Sequence, residues 1–340
     1  MNGMTATLDQ QSLRMTGNTA LNEMPQRDDT FVLVRNLLVC PLCLDSAQLI
    51  DKREFLECAC GVVYRKQEGM LALRTIDVAV TKADIGYQES KYTDAGFVST
   101  FIARQYGGLL HYEEEAAPVQ ASHFRGRMAE VNAGCELFYQ SLITLAVPHL
   151  NANSIVLDVG CGTGRLTGEL ARRSHLCVGI DYSPQMIRTA TSIILESSAE
   201  EIILRLPFSR MIERQFRLPG WGLSNCAFII GDSQSLPFLE NSFDVISCAN
   251  LLHRIPNPKK ALSEIRRVIK PGGILVVSNS YDWDPLFTPE SLWFDDLTDE
   301  LDRRFWKLEN ELDNVPYVTP IYQRKAVIKY NHLQTFRKTA

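Results

Sequence analysis

The chain has 340 residues, 45% apolar and 22% charged, which suits a globular protein with one large α/β domain and a small companion. Its 40 acids against 35 bases give a net charge of −5, and this argues against the broad basic surface that nucleic-acid binding uses. No apolar run is long enough to span a bilayer, residues 1–11 lack the basic start and apolar core of a secretory signal, and the 9 cysteines fit a reducing compartment, so the expected location is cytoplasmic.

Residues 1–29 are polar and aperiodic, and the expectation is a disordered tail. Residues 31–76 carry two close cysteine pairs, Cys40-Pro-Leu-Cys43 and Cys58-Ala-Cys60, with short strand-like segments around them. Thiolates in two such pairs are the usual way to build tetrahedral sulfur coordination of zinc. A zinc ribbon is therefore expected, with Cys40, Cys43, Cys58 and Cys60 as ligands of a structural Zn2+. The second pair has one intervening residue instead of two, and four separate buried thiols, or three ligands only, are the plainer alternatives. Residues 77–150 repeat apolar side chains at helical spacing, as in Val98, Phe101 and Ile102 and again in Leu137, Phe138, Leu142 and Leu145. A helical lid is expected here, and its Tyr87, Tyr92, Tyr106 and Tyr112 are read as packing residues or as contacts to a ligand.

Residues 154–159 (Ser-Ile-Val-Leu-Asp-Val) suit a strand buried on both faces. Gly160, Gly162 and Gly164 follow, and then Leu166, Leu170 and Ala171 at helical spacing, which reads as strand, glycine turn and helix. The dinucleotide-binding fingerprint would place a third glycine where this chain has Arg165. A second strand, 176–181, ends in Asp181, and a carboxylate there can accept from both hydroxyls of a ribose. Ser183-Pro184 reads as an N-cap with proline at the first helical position, and Met186 begins the inner face of that helix. Residues 199–222 form an insertion. The third strand, 226–232, ends in Asp232-Ser233, a pair suited to adenine: the carboxylate accepts from the amine and a backbone N–H donates to the ring. The fourth strand, 243–250, brings Ala249, Asn250 and then His253 to the carboxyl rim, where ligands of open parallel sheets bind. A helix over 259–269 and a strand over 274–277 follow, and segments near 305–318 and 329–338 are expected to close the sheet in antiparallel fashion.

The run Asp158-Val-Gly-Cys-Gly-Thr-Gly164 resembles motif I of class I methyltransferases, which bind S-adenosylmethionine. The resemblance implies a Rossmann-like α/β sheet with helices on both faces over 151–340. It also implies a cofactor set of Asp158, Gly160, Cys161, Gly162, Gly164, Asp181, Tyr182, Met186, Asp232, Ser233 and Ala249. The cysteine segment resembles zinc ribbons fused to, or partnered with, such enzymes. From about residue 91 onward the chain further resembles the methyltransferase domain of ovothiol synthase, which N-methylates 5-thiohistidine. The segments that carry this are Phe101-Ile-Ala-Arg-Gln-Tyr-Gly107, Ala249-Asn-Leu-Leu-His-Arg-Ile-Pro-Asn-Pro258, Asp282-Trp-Asp-Pro-Leu-Phe-Thr-Pro289, Val315-Pro-Tyr-Val318 and Arg324-Lys325. That family's iron-dependent sulfur-transfer domain is absent from this sequence, and Thr319-Pro-Ile321 stands where the family has an Arg-Glu pair.

The resemblance implies methylation of a small imidazole amino acid: histidine, thiohistidine or a relative. Neutral imidazole, with a reference pKa of about 6.5, needs no strong base to attack a sulfonium methyl. Asn250 is then expected to orient the ring and His253 to accept a proton or donate a hydrogen bond. For each, a turn-capping or surface role is the plainer alternative. The competing class is an RNA methyltransferase whose ribbon reads RNA. The acidic balance, and the lack of an Asn-Pro-Pro-Tyr motif or a catalytic cysteine after the fourth strand, weigh against it. A non-catalytic scaffold is the third class, and the intact set of acids and glycines speaks against that one.

Overall fold

The computed structural model describes residues 26–45, 49–67, 69–74, 95–109, 122–196, 201–206, 212–218, 220–322 and 325–339. Its centre is an eight-stranded sheet. In chain order the strands are β4 (Ala72–Leu73), β5 (Ile155–Val159), β6 (Leu176–Asp181), β9 (Cys226–Gly231), β10 (Phe243–Ala249), β11 (Ile269–Asn279), β12 (Trp306–Tyr322) and β13 (Lys325–Lys338). They lie side by side in the order β12-β13-β11-β10-β5-β6-β9-β4. β4, β9, β6, β5, β10 and β11 pair in parallel, whereas β13 runs antiparallel to both β11 and β12. Strand order reverses between β5 and β10, so the carboxyl ends of those two strands open a crevice at the switch point.

The central strands are apolar on both faces because both faces are covered. One face carries α2 (Ala95–Tyr106), α3 (Ser122–Ala146), α4 (Arg165–Ala171) and α5 (Pro184–Leu195), which enclose Val156, Cys177, Ile230 and Val245. The other carries α1 (Arg27–Leu37), α6 (Pro258–Val268) and the short α7 (Leu297–Glu300), packed on Leu157, Val178, Ile229 and Ile246. Local chemistry sets the helix starts. The Ser183 hydroxyl accepts from the Met186 N–H at 3.2 Å with Pro184 at the first position, as the sequence predicts, and Asn257 does the same for α6 ahead of Pro258.

Three small strands, β1 (Ile50–Asp51), β2 (Phe55–Glu57) and β3 (Val63–Arg65), make a separate antiparallel sheet. This unit is docked, not tethered. The Val39 N–H donates to the Pro237 carbonyl and the Ser235 hydroxyl to the Pro41 carbonyl. Two details differ from the sequence reading. Helix α1 crosses the expected junction between tail and ribbon, with Thr30 donating to the Ser224 carbonyl, so that part of the expected tail is ordered against the large domain. Strand β4, placed inside the ribbon by sequence, is the edge strand of the main sheet, where Leu73 pairs with Gly231 of β9 and is fully buried. The insertion folds as a hairpin of β7 (Glu201–Leu206) and β8 (Ile212–Arg217), with β7 against α2. Residues 1–25 and the sites of Tyr87, Tyr92 and Tyr112 lie outside the described residues.

Candidate cofactor and metal sites

The glycine turn sits at the carboxyl end of β5 and is held from below. The Gly160 and Cys161 N–H groups both donate to the Ile180 carbonyl, and the Gly162 N–H donates to Oδ2 of Asp181 at 2.9 Å. Gly162 has a φ of +55°, which disfavours any side chain, and a Cβ there would lie 2.7 Å from Nε2 of Gln105. Asp181 also accepts from the Ser183 N–H at 2.9 Å on Oδ1. Each carboxylate oxygen has a second acceptor site, so these two bonds aim Asp181 without exhausting it. Burial pushes its carboxyl above the usual range, while the N–H donors pull the other way.

Asp158 is more deeply held. Its two oxygens accept from the hydroxyls of Thr167 and Ser247, each at 2.7 Å, and its pKa is pushed up to about 6 by burial. It therefore braces β5 against α4 and β10 beneath the turn. Asp232 takes both of its hydrogen bonds, from the backbone and side chain of Gln234, on Oδ1. Beside it Ser233 is buried. Tyr182 is half exposed beside Asp181, with the Arg74 guanidinium 4.6 Å over its ring. Met186 and Cys161 are buried among core residues, and Cys161 sits below the turn.

Asn250 ends β10 in the left-handed region, φ +53°, with its N–H bound to both oxygens of Ser278. Its side-chain Oδ1 is buried and has no partner. Ala249, one residue earlier, is partly buried on the helical face bearing α2 and α3. His253 lies in a 3-10 turn, Leu252–Arg254, and is buried edge-on to Trp283, with Nε2 3.3 Å from the Ser280 hydroxyl. Burial, helped by the Arg254 and Lys329 charges, pushes its pKa down to about 3. The ring is thus neutral and a weak base, so of the two roles expected for His253 the structure favours hydrogen bonding over proton acceptance. No hydrogen bond among the described residues joins it to Asn250.

A second set of residues holds the turn from above, and the sequence reading missed its role. The Tyr106 hydroxyl donates to the Thr163 carbonyl at 2.7 Å, and the Thr163 hydroxyl donates to Oε1 of Gln105 at 2.5 Å. Arg165, the residue in place of the fingerprint glycine, is fully buried. It donates to the Gln105 carbonyl and, through both terminal nitrogens, to Glu136 on α3 at 3.1 and 3.2 Å. The lid helices are therefore pinned to the turn. Tyr106, the one of the four lid tyrosines named above that lies among the described residues, is a packing and loop-fixing residue, edge-on to Trp221 at 6.2 Å.

The four cysteines converge. Their sulfurs all lie within 4.8 Å of one another, with Cys40 to Cys60 at 3.8 Å and Cys43 to Cys58 at 3.6 Å. Four thiolates about 2.3 Å from a tetrahedral zinc sit about 3.8 Å apart, so the cluster has the right size. The Tyr64 hydroxyl lies 3.0 Å from the Cys40 sulfur as an outer support.

This sheet order, with a reversed last strand and a glycine turn above paired acids, is the architecture of a class I methyltransferase. Residues 157–277 match the family described as "Methyltransferase domain". The chain is 31% identical over 156 residues to demethylmenaquinone methyltransferase of Lactiplantibacillus plantarum, covering 44% of this chain and 56% of that protein. It is 29% identical over 144 residues to the ubiquinone/menaquinone biosynthesis C-methyltransferase UbiE of Burkholderia cenocepacia, covering 42% of this chain and 50% of that one. The chain thus spans about half the length of the curated relatives it matches. Among solved structures, N-methyltransferase NodS of Bradyrhizobium japonicum, in complex with S-adenosylhomocysteine, aligns with 16% identity and a TM-score of 0.43 over 61% of this chain and 88% of that one.

Proposed function

We propose that the protein is an S-adenosylmethionine-dependent N-methyltransferase acting on a small imidazole amino acid, with a structural zinc in its ribbon. The observation that carries the methyltransferase reading is the Gly162–Asp181 arrangement. A glycine turn too closely packed to admit a Cβ at Gly162 hydrogen-bonds through that residue's N–H to the acid aimed at the second-strand end. Asp181 would take the ribose hydroxyls, Asp232 and the backbone at Ser233 the adenine, and the turn from Gly160 to Gly164 the amino-acid portion. When bound, the cofactor supplies an electrophilic methyl group on sulfur.

The residues of this chain do the positioning. Holding a nitrogen in line at about 3 Å from a methyl carbon can lower a barrier by on the order of 7–11 kcal/mol. Asn250 offers a buried Oδ1 without a partner at the rim, able to accept from a ring N–H and so fix which imidazole nitrogen carries the lone pair. Two of the segments that resemble the thiohistidine enzyme, 249–258 and 282–289, pack against each other. The Thr288 hydroxyl donates to the Ile255 carbonyl, Arg254 pairs with Asp282 at 3.0 Å, and its guanidinium stands 5.2 Å over the Phe287 ring.

The test is transfer of an isotopic methyl group to a panel of histidine, 5-thiohistidine, imidazole dipeptides, demethylmenaquinone and bulk RNA. The reading expects label on histidine or 5-thiohistidine and its loss in Asn250→Ala with cofactor affinity retained. Label on the quinone or on RNA alone refutes the imidazole reading, and label on none, with no binding of S-adenosylhomocysteine, refutes the enzyme class.

A further inference from the structure

Buried polar atoms without partners are rare in folded proteins and call for a physical reason. Here several of them fall on the α2/α3 face of the sheet, beside the carboxyl rim. Asn331 of β13 is 0% exposed, yet neither its Oδ1 nor its Nδ2 has a partner. It stands opposite Val315 of β12 and one step from Tyr317, whose backbone partner is Lys329. Leu333, two residues further along the same strand, packs on that face with Val315 and Tyr317, so strand alternation turns Asn331 the same way. Arg104 of α2 has a buried Nε without a partner, and no carboxylate among the described residues pairs with its guanidinium. Its charge stands 4.9 Å over the Phe101 ring and beside the Tyr317 hydroxyl, which the Tyr139 hydroxyl also approaches.

These groups sit next to the cofactor turn. Gln105, the neighbour of Arg104, and Phe101, one turn earlier, are the side chains that a Cβ on Gly162 would meet, at 2.7 and 3.6 Å. α2 therefore has the glycine turn on one side and Tyr317 on the other. Sheet order places β13 beside β11 and β11 beside β10, where Ala249 and Asn250 end. At about 4.8 Å per strand the floor from Asn250 to Asn331 is about 10 Å wide, the length of a small amino acid.

We propose that Arg104 and Asn331, assisted by the Tyr317 and Tyr139 hydroxyls, form the subsite for the α-carboxylate and α-amino group of the acceptor. The proposal rests on the amino-acid methyltransferase reading above and adds which residues select a zwitterion. The guanidinium fork matches a carboxylate, and Arg104, half-buried with no acid beside it among the described residues, leaves a charge for the ligand to neutralise. The Asn331 carboxamide offers one acceptor for an ammonium and one donor for a carboxylate oxygen. A quinone or a decarboxylated amine would leave the arginine without a carboxylate, and a site built around polar partners rejects analogues that lack them.

The experiment is calorimetric titration of the full-length, zinc-loaded protein saturated with S-adenosylhomocysteine, using L-histidine, 5-thio-L-histidine and histamine as probes. The expected result is binding of at least one amino acid with histamine at least tenfold weaker. In Arg104→Gln the amino acid should fall to the histamine level while S-adenosylhomocysteine affinity stays within twofold. Asn331→Asp, nearly isosteric, should weaken the amino acid and spare the cofactor, which separates this role from general folding. Equal binding of histidine and histamine, no binding of either amino acid to the loaded protein, or an unchanged affinity in Arg104→Gln overturns the subsite and leaves the cofactor site standing. Failure of S-adenosylhomocysteine itself to bind overturns the underlying reading and the subsite together.

Discussion

Arg165 gives the sharpest test of how the lid and the cofactor turn are joined. Replacing it with methionine keeps the length and the apolar stem but removes the fork that binds Glu136 and the Gln105 carbonyl. The arginine side chain is 0% exposed, whereas Glu136 is 25% exposed and Glu169, its second acid at 3.2 Å, is 16% exposed. Breaking a fully buried pair costs about 3–5 kcal/mol, and partial hydration of the stranded acids puts this one near the lower end, about 3 kcal/mol. With about 2.1 cal/mol/K of unfolding entropy per residue, a chain of 340 residues loses about 4 °C in Tm for that change. Thermal unfolding monitored by circular dichroism reads the loss. Calorimetry with S-adenosylhomocysteine should show weaker binding as well, because Gln105 and Thr163 lose their anchor. Arg165→Lys should recover little, since an ammonium cannot make the two parallel bonds. A Tm within about 1 °C of wild type and an unchanged cofactor affinity would refute the idea that this ion pair fastens the lid.

Gly164→Ala should destabilise the fold by about 2–4 kcal/mol. Its φ is +85° and the new methyl would lie 2.9 Å from Cβ of Ala190 and 3.1 Å from Phe228. Gly272→Ala, at φ +79° in open space, should cost only about 1–2 kcal/mol, and urea melts of the two variants compare them directly. His253 should make stability depend on pH. Its folded pKa, about 3, lies below the unfolded value near 6.5, so its contribution is complete above pH 6.5 and is lost as pH falls toward 3. Between pH 7 and pH 5 the loss is about 2 kcal/mol, and His253→Gln should remove that slope from urea titrations. Mass spectrometry under native conditions should find one zinc per chain. Removing it with a chelator, or substituting Cys43→Ser, should lower Tm and weaken S-adenosylhomocysteine only modestly, because the ribbon docks on residues 235–239, next to Asp232, and not on the glycine turn. An unaltered melting curve after complete zinc removal would count against a structural metal.

Much of this arrangement is legible in the sequence because the signals are local. Three alternating glycines after an apolar strand, an acid closing each of the next two strands, and Ser183-Pro184 all act within a few residues of where they stand. The cysteine pairs are legible for the same reason, since two short turns bring four sulfurs together. What the residues alone conceal is set by long-range packing. Arg165 reads as a missing glycine until α3 supplies Glu136, and the burial that makes His253 a poor base comes from Trp283 and Ser280 in another segment. Asn331 looks like an ordinary strand residue, and only the absence of a partner within the core marks it. β4 is two residues long, too short for any periodic pattern, and takes its place from pairing with β9.

The two margins of the main sheet are closed by different means. β4, supplied by the chain segment that leaves the ribbon, screens β9, so loosening the small unit would strip the cover from a row of unsatisfied amides. At the far margin β12 carries Pro316 and Pro320 and register shifts at three places, and proline offers no N–H to an approaching strand. A neighbouring molecule therefore meets an interrupted ladder on one flank and a shield fastened near the sulfur cluster on the other, so the resistance of this fold to edge-to-edge aggregation rests partly on the integrity of the small unit.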